Sequence, residues 1–325
     1  MSHLLTAVKY AFFGVLLLAG AWNCRQDVEG FRPYTYASSQ GSIDQLLNQV
    51  ATAATTHTFV LKNLTQDTTL TTPEGVRIGL TDLEELFADA NNQPMAASNC
   101  QNLQIEVTVV LDKGELLGRG IHTVTYPDGQ LLESGGIIHV RASCDGTPLR
   151  LLPNRSLKVQ VPADVLKNDL FTFNGALQNS TDFLGWQATS DPAYLAEWVS
   201  GGDTLHGYEL YPAEMGWVAA GRILPEPTSD FCIKLPTVMT DETAKAFVIF
   251  KGLTTVVALT YDAASQSFCC DQAPKGYPVQ VVVISNLGEQ YWLGNQETEI
   301  GTHTSLQVEP HKTSEAALLE FLKQL

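Results

Sequence analysis

From Thr58 to Pro162, apolar and polar residues trade places almost one by one. The segments TFVLKNL (58–64), GVRIGL (75–80), LQIEVTVVLD (103–112), IHTVTY (121–126), GIIHVRAS (136–143) and SLKVQVP (156–162) all read this way. A pleated backbone turns successive side chains to opposite faces, so this period predicts half-buried strands. Turn chemistry separates them at Pro73-Glu74-Gly75, Pro127-Asp128-Gly129 and Asp145-Gly146. After a looser, more polar stretch a second set follows: GWVAAGRIL (216–224), DFCIKLPTV (230–238), KAFVIFKG (245–252), TTVVALTYD (254–262), PVQVVVISN (278–286), EQYWLG (289–294) and ETEIG (297–301).

Three stretches take the helical period instead. Ser42-Ile43-Asp44-Gln45 fits a capping box, with Ile43, Leu46, Leu47 and Val50 at helical spacing behind it. DLEELFADA (82–90) reads as one short helix. The closing TSEAALLEFLKQL (313–325) places Leu318, Phe321, Leu322 and Leu325 on one stripe, an amphipathic C-terminal helix. Many strands without alternating long helices predict a mainly β protein of two β-sandwich domains with short helices. The expected first domain spans 42–164, the linker region 165–201 and the second domain 202–325.

The N-terminus carries a different pattern. Met1 to Lys9 is short and weakly positive, and YAFFGVLLLAGA (10–21) is an apolar run of signal-peptide length. Residues 1–23 therefore read as a signal peptide, although an uncleaved anchor reaching back to Leu4 is an alternative. Ala19-Gly20-Ala21 offers a cleavage site that would free Trp22. Cys24, just past the apolar run, offers the thiol that a lipoprotein leader needs. The polar, Gly- and Ser-bearing stretch after it (24–41) suits a flexible tether. Lipidation at Cys24 and plain secretion remain the two expectations, and export is common to both.

Charge narrows the partners. The 325 residues carry 19 basic and 35 acidic side chains, a formal charge of −16 at neutral pH. Loss of a leader carrying Lys9 makes the chain more negative still. Such a surface repels phosphate backbones, so nucleic acid is not an expected partner. With 44% apolar residues there is material for sizeable cores.

The stretch DGQLLESGGIIHVRASCDGTPLRLLPNRSLKVQVP (128–162) resembles a segment of an uncharacterised exported lipoprotein family of Bacteroidota. That pattern has an L-x-S/T-G-G block, an alternating strand, a glycine turn and a K-S-I-x-V-x-x-P block. Upstream, TTPEGVRIGLTDLEELF stands where the family has a G-T-x-I-x-I-P-A-x-A-F element. Downstream, MGWVAAGRI (215–223) stands where it has G-W-x-N-x-D-R-F, and KAFVIFKGL and PVQVVVISNLGEQYW follow in order. The likeness runs from about Thr58 onward, and its first block is similar to a ZU5-type β-sandwich. The resemblance implies an outer-membrane or cell-surface lipoprotein, or alternatively a secreted or periplasmic protein, with no catalytic residues to carry over.

Candidate chemistry is sparse. Beyond Cys24, Cys100 and Cys144 lie in the first β region, while Cys232 has Cys269 or Cys270 as candidate partners in the second. No C-x-x-C, H-E-x-x-H, G-x-S-x-G, P-loop or G-x-G-x-x-G occurs, so no metal, cofactor or catalytic residue is predicted. His122 and His139 face each other across an expected hairpin without a third ligand, and read as ordinary strand residues. Short Asp-Thr-x matches to an O-glycosylation signal occur at Asp67 and Asp203. Between Trp186 and Trp217, Trp198, Tyr194, Tyr208 and Tyr211 sit among glycines and prolines. Aromatic faces on loops stack sugar rings, so these four are the candidate ligand-binding residues. Against that, Trp186 and Trp217 read as core anchors and the tyrosines as a seam. The functional expectation is a non-catalytic structural or binding module held at a membrane by an N-terminal lipid, its ligand a glycan or another envelope protein. A glycan-binding surface protein and a secreted hydrolase with an unrecognised site are the alternatives.

Overall fold

Strands carry most of the chain in the computed structural model, which describes residues 37–51, 56–62, 64–95, 100–178, 182–224, 227–302 and 305–325. The leader, Cys24 and the tether as far as Tyr36 lie outside the described residues. Helix α1 (Gln40–Ala51) leads into β1 (Thr56–Leu61), β2 (Thr68–Thr71), β3 (Arg77–Leu80), β4 (Phe87–Ala88) and β5 (Leu103–Val110). Helix α2 (Lys113–Gly118) precedes the long β6 (Leu132–Cys144), then β7 (Thr147–Pro148), β8 (Arg150–Leu151) and β9 (Lys158–Pro162). Next come β10 (Phe171–Gln178), β11 (Asp182–Pro192), β12 (Tyr194–Ser200), β13 (Asp203–Leu210) and β14 (Gly216–Ile223). The last third holds β15 (Thr228–Lys234), β16 (Ala244–Phe250), β17 (Val256–Asp262), β18 (Ser267–Pro274), β19 (Pro278–Leu287) and β20 (Gln290–Glu299). Two short strands, β21 (Leu306–Gln307) and β22 (His311–Lys312), lead into α3 (Glu315–Lys323).

The first sheet runs β1-β5-β6-β14-β10-β11, with β7 pairing on β6. The second runs β12-β13-β9-β3-β2, and the third β21-β15-β18-β17-β16-β19-β20-β22. Alternation explains the first two. Along β5, Leu103, Ile105, Val107 and Val109 turn inward, and along β9 Val159 and Val161 do the same. They meet Ile78, Leu80, Ile138, Val140, Tyr208 and Leu210 in one core, which makes these two sheets a sandwich. Each buried valine or isoleucine there contributes about 1.5–3 kcal/mol.

The other face of the first sheet is covered too. Leu132, Ile137, Phe173, Trp186 and Ala219 pack with Ile43, Leu46 and Leu47 of α1, Leu116 and Leu117 of α2, and Leu318 and Leu322 of α3. Phe247, Ile249, Val282 and Ile284 of the third sheet close this second core. A sheet covered on both faces needs apolar residues in both registers, which is why GGIIHV and WVAAG lose strict alternation.

This sharing changes the expected domain layout. Residues 165–201, expected as a linker, form β10, β11 and most of β12, with β10 and β11 in the first sheet and β12 in the second. β13 and β14, expected in the second domain, also belong to the sandwich. Residues 37–325 form one compact unit. The polar composition of the stretch reflects exposed positions along β10, β11 and β12 rather than an absence of structure.

Local differences have local causes. The stretch 82–90 makes a single 3-10 turn, Leu83–Glu85, and then β4, because Phe87 and Ala88 pair with Leu151 and Arg150. Helix α1 starts before the predicted box: the carbonyl of Ser39 accepts from Ile43 N–H at 3.1 Å, and the Ser42 hydroxyl donates back to that same carbonyl at 2.7 Å. The tether expected to reach residue 41 therefore gives way to helix at Gln40. The unpredicted α2 is capped by Asp112, whose Oδ1 accepts from Glu115 N–H at 2.7 Å. The amphipathic C-terminal helix is present as α3, capped by Ser314, with Leu318 and Leu322 fully buried.

The Ser134-Gly135-Gly136 step of β6 is a bulge: Ala220 pairs with Gly136 and Gly221 with Ser134, leaving Gly135 out of the ladder. Gly136 takes φ +140°, and a β-carbon there would lie 2.5 Å from Cγ1 of Val161. The paired glycines of the SGG motif thus let the second sheet approach the first.

Candidate functional site

The four aromatic residues singled out from sequence do not form one surface. Trp198 is only 4% exposed, and its indole N–H donates to the Gly75 carbonyl at 3.0 Å. Tyr208 is fully buried in the sandwich core, where its hydroxyl accepts from Lys167 N–H at 2.7 Å. Both sit on regular strands of the second sheet rather than on loops, and the pleat carries them under cover. Tyr194 and Tyr211 are exposed and meet edge to face, ring centroids 6.3 Å apart. Trp186 is an anchor in the second core, its N–H donating to the His122 carbonyl at 3.0 Å.

The cysteines pair across strands and turns. Cys100 bonds Cys144 with Cα atoms 5.6 Å apart, and Cys232 bonds Cys269 at 4.1 Å, directly opposed in the β15–β18 register. Cys270 is left free and half-buried. Burial, with Asp271 and Asp230 nearby, pushes its thiol up to about 12. Among the described residues, the one group with metal-capable spacing is Cys100, Cys144 and Asp145, and both of its sulfurs are in a disulfide.

A cleft that sequence reasoning missed lies on the outer face of the first sheet. Strand register builds it. Thr108 of β5, His139 of β6 and Trp217 of β14 stand in one row across the sheet, and Glu106 opposes Arg141 in the next. Trp217 lies beside Gly175 of β10, where a β-carbon would come within 2.5 Å of Cβ of Trp217 and 2.9 Å of the Phe183 ring. That glycine lets the indole settle against the sheet. The His139 and Trp217 rings then meet at a tilt of 51°, centroids 4.6 Å apart. Two depressions of about 540 and 280 Å³ share His139, Arg141 and Leu177. The larger adds Gln104, Glu106, Ser143 and Met215, and the smaller adds Asn48, Arg119, Phe183 and Trp217.

The electrostatics of the cleft are lopsided. Burial holds the His139 imidazole down to about 4, and the guanidinium groups of Arg141 and Arg119 push the same way. The ring is therefore neutral at neutral pH. Arg119 donates from Nη2 to the Ala51 carbonyl at 3.0 Å. Arg141 is exposed and makes no hydrogen bond or ion pair among the described residues. Its cross-strand neighbour Glu106 accepts from Gln104 at 2.9 Å instead. His122, expected to approach His139, packs against Phe183 with centroids 5.6 Å apart. The two histidines thus contact different rings.

Two further cavities, each of about 450 Å³, flank this face. One lies between α1, α2 and strands β16 and β17, largely apolar, with the Asp44–Lys245 ion pair in its lining. The other opens at the mouth of the sandwich beside Gly135 and Gly136. There Glu133, 1% exposed on its side chain, pairs with Lys167 and accepts from Arg222 Nε at 2.8 Å. Lys113 nearby donates to the Phe250 carbonyl at 2.9 Å, and burial lowers the pKa of its ammonium. In both cavities an ion pair already answers part of the charge. The outer-face cleft differs in presenting two aromatic rings beside a guanidinium that none answers.

Among the described residues no helix is long and apolar enough to cross a membrane. No family model, curated protein or solved structure matches the chain.

Proposed function

We propose that this chain is a non-catalytic binding module of the cell envelope, exported by its leader and held at the membrane by lipid on Cys24. The outer-face cleft is its binding surface. The observation that carries the reading is Arg141, exposed and without a carboxylate partner, sharing a depression with His139 and lying one row from Trp217. Such a constellation supplies a flat apolar surface, a neutral donor–acceptor and a fixed cation, the parts from which small-ligand recognition is made. The four paired cysteines support export, since such bonds persist in oxidising compartments. The resemblance to exported Bacteroidota lipoproteins points the same way and supports the anchor.

Two measurements test it. Radiolabelled palmitate should enter the wild-type chain and not Cys24→Ala; an unlabelled protein recovered whole from the medium removes the anchor. A glycan and small-molecule array probed with the mature protein should give binding that Trp217→Ala abolishes. Binding that ignores Trp217→Ala removes the cleft. Tyr194 and Tyr211, exposed at the edge of the second sheet, favour a second reading in which a glycan stacks there. Loss of array binding in Tyr194→Ala, with Trp217→Ala intact, selects that one.

A further inference from the structure

We infer that the outer-face cleft takes an acidic saccharide, the carboxylate or sulfate group meeting the Arg141 guanidinium while a sugar ring packs against Trp217. The inference rests on the cleft being the binding surface and adds the class of ligand.

Charge makes the first argument. The chain carries 35 acidic against 19 basic side chains, so a cation that lines a cleft without a carboxylate partner runs against the general charge. Six other cations are answered by carboxylates: Lys158 by Glu209, Lys167 and Arg222 by Glu133, Arg155 by Asp82 and Glu85, Lys245 by Asp44, Lys251 by Glu297. Arg141 is not, although Glu106 stands directly opposite it in register. A second guanidinium, Arg119, lines the same depression. Arg119 is engaged with the Ala51 carbonyl and the Glu115 carboxylate, so Arg141 is the cation this cleft offers to a ligand. A guanidinium presents its N–H groups in a planar fork that matches the two oxygens of a carboxylate, or two of a sulfate.

The neighbours specify what carries the acid. Trp217 and Phe183 offer apolar ring surface for the C–H face of a pyranose. Gln104, Ser143 and Asn48 offer amide and hydroxyl groups to sugar hydroxyls. Glu106, bonded to Gln104, accepts from hydroxyls and repels a second anionic group placed beside it. A ligand whose acidic groups are kept apart by a sugar ring suits that arrangement better than one with adjacent anions. The joint size of the two depressions lies in the range of about 300–1,000 Å³ usual for small-molecule sites.

The test uses the mature full chain and titrates three tetrasaccharides by calorimetry at low salt: oligogalacturonate, its uncharged galactose counterpart, and a sulfated galactan. We expect one of the acidic probes to bind at least tenfold more tightly than the neutral one. Which of the two wins separates carboxylate from sulfate. Binding should weaken at least tenfold in Arg141→Gln, recover in part in Arg141→Lys, and weaken as ionic strength rises toward 0.5 M. Arg141 is exposed, so these variants keep the fold, and the thermal midpoint confirms it. Equal affinity for neutral and acidic probes, with dependence on Trp217, overturns the acidic ligand and leaves the binding surface standing. No binding of either acidic probe at millimolar concentration overturns the inference as well. Acidic binding that ignores both Arg141→Gln and Trp217→Ala overturns the inference and the cleft together.

Discussion

A β-carbon placed on Gly135 would stand 2.6 Å from Cε2 of Tyr208, so the ring of one sheet occupies the space a side chain would need on the other. The glycine pair of the SGG motif is thereby a packing device. Gly135→Ala should destabilise the protein by about 1–3 kcal/mol, the range for overpacking a filled core. In a Tyr208→Leu background the same substitution should cost distinctly less. A double-mutant cycle in urea measures the difference, and equal costs in both backgrounds would refute the contact.

Glu133 makes a second prediction. Its carboxylate is 1% exposed and flanked by Lys167 and Arg222, which are 26% and 43% exposed. Removing either cation leaves the other in place, so Lys167→Met and Arg222→Met should each cost only about 1 kcal/mol, discounted for their contact with water. Removing both strands a buried charge, and the loss should reach about 3–5 kcal/mol, more than the two singles together. Chemical denaturation of the four proteins checks the coupling.

His139 predicts a pH dependence. Its folded value of about 4 lies below the ordinary 6.5, so between those values the unfolded chain binds the extra proton. Its contribution is fully present above pH 6.5 and is lost as pH falls toward 4, by about 3 kcal/mol in all. The stability of His139→Gln should lack that share of the acid loss. Urea midpoints of the two proteins across pH 4–7 should converge as the pH falls; parallel curves would count against it.

Cys270 should be chemically quiet. With its thiol pushed up to about 12, the thiolate fraction at pH 8 falls on the order of a thousandfold below that of an ordinary cysteine. Ellman's reagent should therefore label the native protein very slowly and the unfolded protein at once. Fast labelling of the native, non-reduced protein would contradict the burial.

Strand existence was legible because period-two alternation is local: β3, β5, β9, β16 and β19 fall where the pattern put them. The α1 stripe and α3 with its Ser314 cap were legible for the same reason. What escaped was set by register between distant strands. Arg141 and Trp217 lie far apart in sequence, and only the pairing of Trp217 with His139 brings them to one face. Trp198 and Tyr208 looked like loop aromatics because β12 and β13 carry polar residues on their exposed face. Helix α2 had a usable sign in Asp112 and Glu115, three residues apart, but its six residues were too few for a period to emerge.

The position of β14 between β6 and β10 has a consequence for how the molecule is made. β6 cannot acquire its second neighbour until residues 216–223 have emerged, so during synthesis one of its edges waits on residues made much later. An open, apolar strand edge invites pairing with any other chain nearby. The chain therefore has to close this edge before its exposed ladder meets a stranger.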